Sequence, residues 1–229
     1  MYKVISSLLT LLLFTINICF ADEYFLDRES KYQSAIMETG FRLLNCNNIN
    51  SRMTFFYVPD NKTGVKINQR QKGVYIYKGS FLFLDDENEL AALLSLNVGH
   101  LLDVQAGFFR RFSISFSPRK YEVKADKKAV DLMVKAGYDP VALITLINKA
   151  EKEQLWFEYN IFHHNGSERV KNIYHYIYEK YPIYLADNKY LTNQYYQNFL
   201  RTTKKDRRKV RYIQEEKIRK ENKEKLRNF

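Results

Sequence analysis

Five side chains in the middle of this chain are of the types that hold metals, move protons or clamp carboxylates: His100, Glu122, Asp126, His163 and Arg169. His100 closes a long apolar run, where a histidine serves either as a ligand or as a core residue with satisfied ring nitrogens. Glu122 and Asp126 are four residues apart, so on a helix they share a face. As carboxylates they can ligate a cation, exchange protons or pair with Lys or Arg. His163 and His164 stand just ahead of Ser167, a residue type that caps helices, and Arg169 follows His163 by six. Imidazole and carboxylate together are the ligand chemistry of zinc, which takes four protein ligands in structural sites and three plus water in catalytic ones. The residues alone leave a metal centre, an ion-pair cluster and ordinary loop histidines all open.

The elements that must position these residues follow from the hydrophobic pattern. Tyr32, Ile36, Phe41, Leu43 and Leu44 fall near helical spacing and predict a helix over 30–46, closed by Asn47-Asn48. Met53–Val58 is rich in strand formers and Pro59-Asp60-Asn61 supplies a turn. Gly73–Tyr77 and Ser80–Leu84 read as two strands of a hairpin turning at Lys78-Gly79. Asp85-Asp86 caps the next segment, with Glu89 at capping-box spacing from Asp86, and the strongly apolar run from Glu87 to Val104 predicts a buried helix. Phe108–Phe116 reads as a short strand or irregular link. Ser117-Pro118 opens a helix to about Ala136, ended by Gly137. Pro140 opens another through Glu153, and Ser167 to Tyr178 is helical again. Residues 184–202 read as a continuing helix in which Tyr190, Tyr195, Tyr196 and Phe199 supply packing rather than a base-stacking platform. Glu215–Arg219, Glu216–Lys220 and Glu221–Lys225, each carboxylate-first at four-residue spacing, predict a solvated helix at the C-terminus.

Composition separates this tail from the rest. Residues 201–229 hold 13 Lys and Arg against 5 Asp and Glu, a surplus of +8 within a chain of net charge +11. With Lys3 set aside, the body 22–200 keeps only about +2. At the other end, Leu8, Leu9, Leu11, Leu12, Leu13 and Phe14 form a short apolar core, and Cys19-Phe20-Ala21 before Asp22 fits a cleavage site. The expectation is a signal peptide over 1–21 and a secreted or periplasmic product. Processing after Ala21 leaves Cys46 as the only cysteine, so the fold rests on packing, with Cys46 read as a small buried apolar residue.

Three blocks of this sequence resemble a known family. The first is the strand pair followed by Asn88-Glu89-Leu90-Ala91-Ala92-Leu93-Leu94-Ser95-Leu96-Asn97-Val98-Gly99-His100, similar to E-L-A-x-x-L-A-H-E-x-G-H. The second is Arg119-Lys120-Tyr121-Glu122-Val123-Lys124-Ala125-Asp126, similar to R-x-x-E-x-x-A-D, followed by Ala136-Gly137-Tyr138-Asp139-Pro140. The third is His163 with Arg169, similar to H-P-x-x-x-x-R with His164 in place of the proline. Together they resemble metallopeptidase family forty-eight, that of the CAAX prenyl endopeptidase and the BepA-like periplasmic chaperone-proteases. The likeness spans 73–178 and leaves the tail aside.

The resemblance implies an α+β, mainly helical fold: a zincin-like (gluzincin) domain over 22–200 with a small sheet beside the active-site helix, plus a charged C-terminal helix over 201–229. It implies that His100 and Glu122 descend from zinc ligands, with Asp126, His163 and Arg169 lining the cleft. Leu96 then occupies the place of the first histidine ligand and Asn97 that of the general base. Leucine offers no lone pair to a metal, and a neutral carboxamide cannot take a proton from water. The expectation is therefore a pseudopeptidase without a cofactor, binding peptides or unfolded envelope proteins in a chaperone-like role. The first alternative is an active zinc endopeptidase with a rearranged ligand set, His163 included. A further one is an envelope assembly component acting through its tail. Residues 201–229 are expected to meet an anionic membrane surface or an acidic partner rather than nucleic acid, which an exported protein seldom encounters.

Overall fold

A computed structural model describes residues 28–105, 118–152 and 166–227. The apolar segment 1–21, the link 108–116 and the pair His163-His164 lie outside them. The described elements are helix α1 (28–46), strands β1 (Thr54–Val58), β2 (Val65–Asn68) and β3 (Gly73–Tyr77), a 3-10 turn Lys78–Leu82, and helices α2 (Glu87–Gln105), α3 (Pro118–Lys135) and α4 (Ala142–Lys152). There follow α5 (Gly166–Lys180), α6 (Ile183–Ala186), a 3-10 turn Lys189–Thr192, α7 (Gln194–Thr202) and α8 (Lys204–Arg227). The chain is α+β and mainly helical, with one small sheet. None of the described helices is long and apolar enough to cross a membrane.

The sheet runs in the order β1-β3-β2, with β1 parallel and β2 antiparallel to the central β3. Phe55, Val74, Ile76, Val65 and Ile67 turn inward to the core. Phe56 and Tyr75, paired in register, stack on the opposite face with ring centroids 4.9 Å apart. The hairpin therefore joins β2 to β3, and the expected strand at Ser80–Leu84 is corrected to a 3-10 turn. Two constraints bend that segment. A Cβ on Gly79 would collide with the carbonyl oxygens of Asn61 and Lys62, so only glycine lets the chain pass. Ser80 Oγ then donates to the Gly64 carbonyl at 2.9 Å and accepts the Gly64 N–H at 2.8 Å, bracing the start of β2. Leu82 is left 83% exposed.

α2 is the axis of the domain. Leu90 to Val98 are buried around the whole circumference, not along a stripe, because β3, α3 and α4 all pack on this helix. Its N-terminus is built as expected in part: Asp86 Oδ1 accepts the Glu89 N–H at 2.9 Å. The Glu89 carboxylate, however, accepts from Asp85 N at 2.8 Å, one residue upstream of the reciprocal capping-box donor. The run Ala136–Pro140 also serves this helix end. Gly137 takes φ +76° after α3, with Tyr138 N bonding Met133 O at 2.9 Å and Gly137 N bonding Val134 O at 3.0 Å, a Schellman stop. Tyr138 Oη then reaches Glu87 at 3.0 Å and Asp139 N reaches Asn88 at 2.8 Å, while Asp139 caps α4 through Val141 N.

Two further expectations are corrected. Residues 184–202 form α6, a 3-10 turn and α7 instead of one helix, because Asn188 and Asn193 each stop the chain and cap the next turn. Tyr190, Tyr196 and Phe199 are nonetheless buried in the core, as packing residues. Cys46 is exposed. The buried stripe of α1 runs through Ile36, Thr39, Gly40, Leu43 and Leu44, and Cys46 falls about a quarter turn off it at the helix end.

A buried ion pair ties α4 to the start of α2. Lys149 Nζ lies 2.7 Å from Glu89 Oε2, 2.9 Å from Asp85 Oδ2 and 2.7 Å from the Phe83 carbonyl. Glu89 is fully buried, and burial pushes its carboxyl above the usual range despite the opposing pull of Lys149. Removing one partner leaves the other charge uncompensated, so Lys149→Met should cost about 3–5 kcal/mol, with much of the loss recovered in a Lys149→Met, Glu89→Leu double variant. Urea unfolding of the three proteins checks this; equal losses in single and double variants would show that the pair is not what holds the helices.

Candidate functional site

The residues singled out by their chemistry sit on three helices, with α3 packed against both of the others: His100 on α2, Glu122 and Asp126 on α3, Arg169 on α5. α3 exposes one side to water and turns Asp126 inward with Ala129, Val130 and Met133. Glu122, one turn earlier, is partly buried on the same face. α5 brings Arg169 in on the same face as Ile173 and Ile177, so its guanidinium is buried too.

The geometry is an ion cluster. Arg169 Nε donates to Asp126 Oδ2 at 3.0 Å while its second terminal nitrogen donates to Oδ1, a bidentate clamp on a fully buried carboxylate. The remaining terminal nitrogen lies 3.4 Å from Glu122 Oε1. Burial opposes the charge on Arg169, but the bonds and charge of Asp126, with Glu122 behind, outweigh it and raise its pKa further. One guanidinium thus answers both carboxylates.

On α2, Leu96 is 3% exposed and Asn97 is 0% exposed. Asn97 Nδ2 donates back to the Leu93 carbonyl at 2.7 Å, so its carboxamide is engaged along its own helix. Asn97 Oδ1 is buried with no hydrogen-bond partner among the described residues. His100 is half-buried; burial pushes its pKa down and the nearby Asp103 carboxylate pulls the other way. Asp103 is in turn 3.6 Å from Lys128.

These residues do not fit a zinc ion. Leu96 donates nothing, and among the described residues no three His, Cys, Asp or Glu come together as a metal-holding group. Glu122 already faces a fixed cation in Arg169, which a second positive charge would have to displace or tolerate. The structure brings Glu122, Asp126 and Arg169 together and sets His100 on the adjoining helix; His163 lies outside the described residues.

Sequence reasoning missed one polar centre, the Lys149–Glu89–Asp85 cluster. A signal was present. Lys149 sits inside the apolar run Leu143, Ile144, Leu146, Ile147 and Ala150, and Glu89 abuts Leu90-Ala91-Ala92, so each is a charge at a core position. Also unforeseen is Gln33 on α1. Its amide donates to the Phe55 carbonyl at 3.0 Å and accepts the Tyr57 N–H at 2.8 Å, occupying the outer edge of β1 as a neighbouring strand would. The far edge is different. Tyr77 donates to the Gly64 carbonyl, so by antiparallel alternation Lys66 and Asn68 face β3 while Val65 and Ile67 turn their N–H and C=O groups outward.

No protein-family model matches the chain, and no curated protein matches it.

The lowered pKa of His100 has a consequence for stability. Below the ordinary imidazole value of about 6.5 the unfolded chain takes up a proton that the folded one resists, so the contribution of His100 is full above that pH and is lost as pH falls below it. Between pH 7 and 5.5 the wild type should lose more stability than His100→Gln. Parallel slopes of unfolding free energy against pH in the two proteins would refute the assignment.

Proposed function

We propose that this chain is a catalytically degenerate member of the zinc metallopeptidase class of family forty-eight, with a zincin-like domain, that binds extended polypeptide in the cell envelope instead of cleaving it. The observation that carries the reading is the state of α2 where such an enzyme holds its metal and its base. Leu96 is buried among apolar neighbours, and Asn97 is a neutral amide bonded to its own helix. With neither a first ligand nor a proton acceptor, there is no route to an activated water: each deficit is severe alone, and a missing general base typically costs about a hundredfold to ten-thousandfold in rate.

Binding survives such losses because it needs backbone, not metal. Gln33 satisfies the β1 edge, so a polypeptide would have to dock on β2, where the outward N–H and C=O groups of Val65 and Ile67 are buried and would first have to be uncovered. A chain added there would run as a fourth strand, its affinity set by main-chain bonds and its selectivity by side-chain contacts. This suits a chaperone-like role toward unfolded envelope proteins. The exported location, expected from residues 1–21, is part of the same proposal.

The test has two parts. The purified protein is expected to hold no stoichiometric zinc and to leave casein intact, whereas Leu96→His with Asn97→Glu should gain zinc. Chelator-sensitive proteolysis by the unmodified protein, abolished by His100→Ala or Glu122→Ala, would overturn the reading in favour of a rearranged ligand set. An unfolded model peptide should bind, and the same peptide N-methylated at alternate residues should lose at least about tenfold in affinity, the equivalent of one or two hydrogen bonds. Equal binding of both peptides would remove the β2 edge from the account.

A further inference from the structure

We infer that the outward face of α8 is a docking ridge for an anionic phospholipid surface. The helix spans Lys204–Arg227, about 36 Å at the usual rise per residue. One side is held by α5: Asp206 pairs with Lys171 at 2.8 Å, Lys217 with Glu179 at 3.5 Å, and the Arg207 guanidinium lies over the Tyr174 ring and donates to the Leu200 carbonyl. Residues 206, 207, 210, 214 and 217 recur at three- and four-residue spacing, which fixes the docked face. The opposite face carries Lys205, Arg208, Tyr212, Arg219 and Lys223, all exposed, with Leu226 continuing the row. Glu215 and Glu216 interrupt it halfway and support the helix through their four-residue pairs.

The two contacts with α5 at Lys171 and Glu179 run in the same direction as Asp206 and Lys217, so α8 lies alongside α5 with its basic row held away from the domain. No residue of α8 is buried. The row of guanidinium and ammonium groups along the outward face, flanked by further cations such as Lys209, Arg211 and Lys220, matches a planar field of phosphates. Tyr212, 64% exposed among these cations, is a side chain suited to the headgroup layer. The exposed apolar residues Ile213, Ile218 and Leu226 do not gather on one side of the helix, so the attachment is electrostatic, not insertional.

Phospholipid is favoured over nucleic acid by two features of the same chain. Tyr212 is the one ring on α8, where a run of stacked bases would need several, and Tyr190, Tyr196 and Phe199 are buried in the core. The export expected from the apolar segment near the N-terminus, on which this point rests as the proposed function does, would also bring the chain to a membrane.

The measurement is co-sedimentation of the whole chain with phosphatidylcholine vesicles, and with vesicles containing about 30% phosphatidylglycerol, at salt concentrations giving screening lengths above and below about 8 Å. Binding is expected only to the anionic vesicles and should fall as salt rises. Changing Lys205, Arg208, Arg219 and Lys223 together to Gln should weaken it on the order of several hundredfold, since each basic group at an anionic surface contributes about fivefold. A matched variant with Arg52, Arg70, Lys124 and Lys135 changed to Gln, exposed elsewhere and equal in charge, should bind as the wild type. Unaltered circular dichroism establishes that both variants are folded. Equal loss in the two variants, full binding by the first, equal binding to neutral vesicles, or displacement from the vesicles by an oligonucleotide at equal phosphate would each overturn the assignment.

Discussion

Enclosing α2 on every side is the constraint from which the rest of the architecture follows. A helix wrapped in this way gains apolar burial from Leu90, Leu93, Leu94, Leu96, Val98 and Leu101 at once, but its first-turn N–H groups and every polar side chain it carries must then find partners inside the protein. The N-terminal end meets that demand with Asp86 as cap, Glu89 bound to Asp85 N and Lys149, and the Tyr138–Asp139 turn delivered onto Glu87 and Asn88. Lys189 and Tyr190 complete the arrangement by donating to Asp86 at 2.9 Å each. Burial alone would raise the Asp86 pKa, yet the bonds from Lys189, Glu89 N and Tyr190 hold it below the usual range. The order of elements after α2 makes sense in this light: α4 brings the lysine, the turn before α4 brings the tyrosine, and the Asn-capped turns before α7 bring the second pair.

The same physics recurs along the helix, at the cluster of Asp126, Glu122 and Arg169. A carboxylate buried as deeply as Asp126 is costly without a partner, and a bidentate guanidinium is the side chain best shaped to supply one. Once Arg169 also reaches toward Glu122, the face of α3 beside α2 carries two negative charges and one fixed positive charge without any metal. Packing of α3 and α5 therefore does not wait on a bound ion.

Much of this was legible in the sequence where local chemistry and tertiary context agree. α1, α2, α3, α5 and α8 follow from apolar spacing, Asp86, Gly137 and the carboxylate-first pairs, and their boundaries fall within a few residues of those observed. The Glu122–Asp126 face was readable from four-residue spacing, and so was pairing with a basic residue, but which one required α5 to fold back on α3. The failures have identifiable causes. Ser80–Leu84 has the composition of a strand, yet the fit of Gly79 against Asn61 and Lys62 and the bonds of Ser80 to Gly64 decide its path, and those are long-range. β2 escaped notice because Val65 and Ile67 are only two apolar positions in four, too short a pattern to separate from a loop. Cys46 was assigned to the core from residue type, yet it stands in the last turn of α1, at the edge of the buried stripe and past the elements that cover it.

The asymmetry of the sheet edges ties fold to proposed role. An open strand edge is a hazard for any soluble protein, and the usual remedies are to cover it or to charge it. β1 is covered, by a glutamine amide that mimics a peptide unit at two successive hydrogen-bonding positions. β2 is short, and of its two outward-pairing residues neither carries a charge, although Lys66 between them does. At four residues, with Val65 and Ile67 buried, that edge offers other chains few bonds and little access, and under the proposed role a bound segment would first have to uncover it.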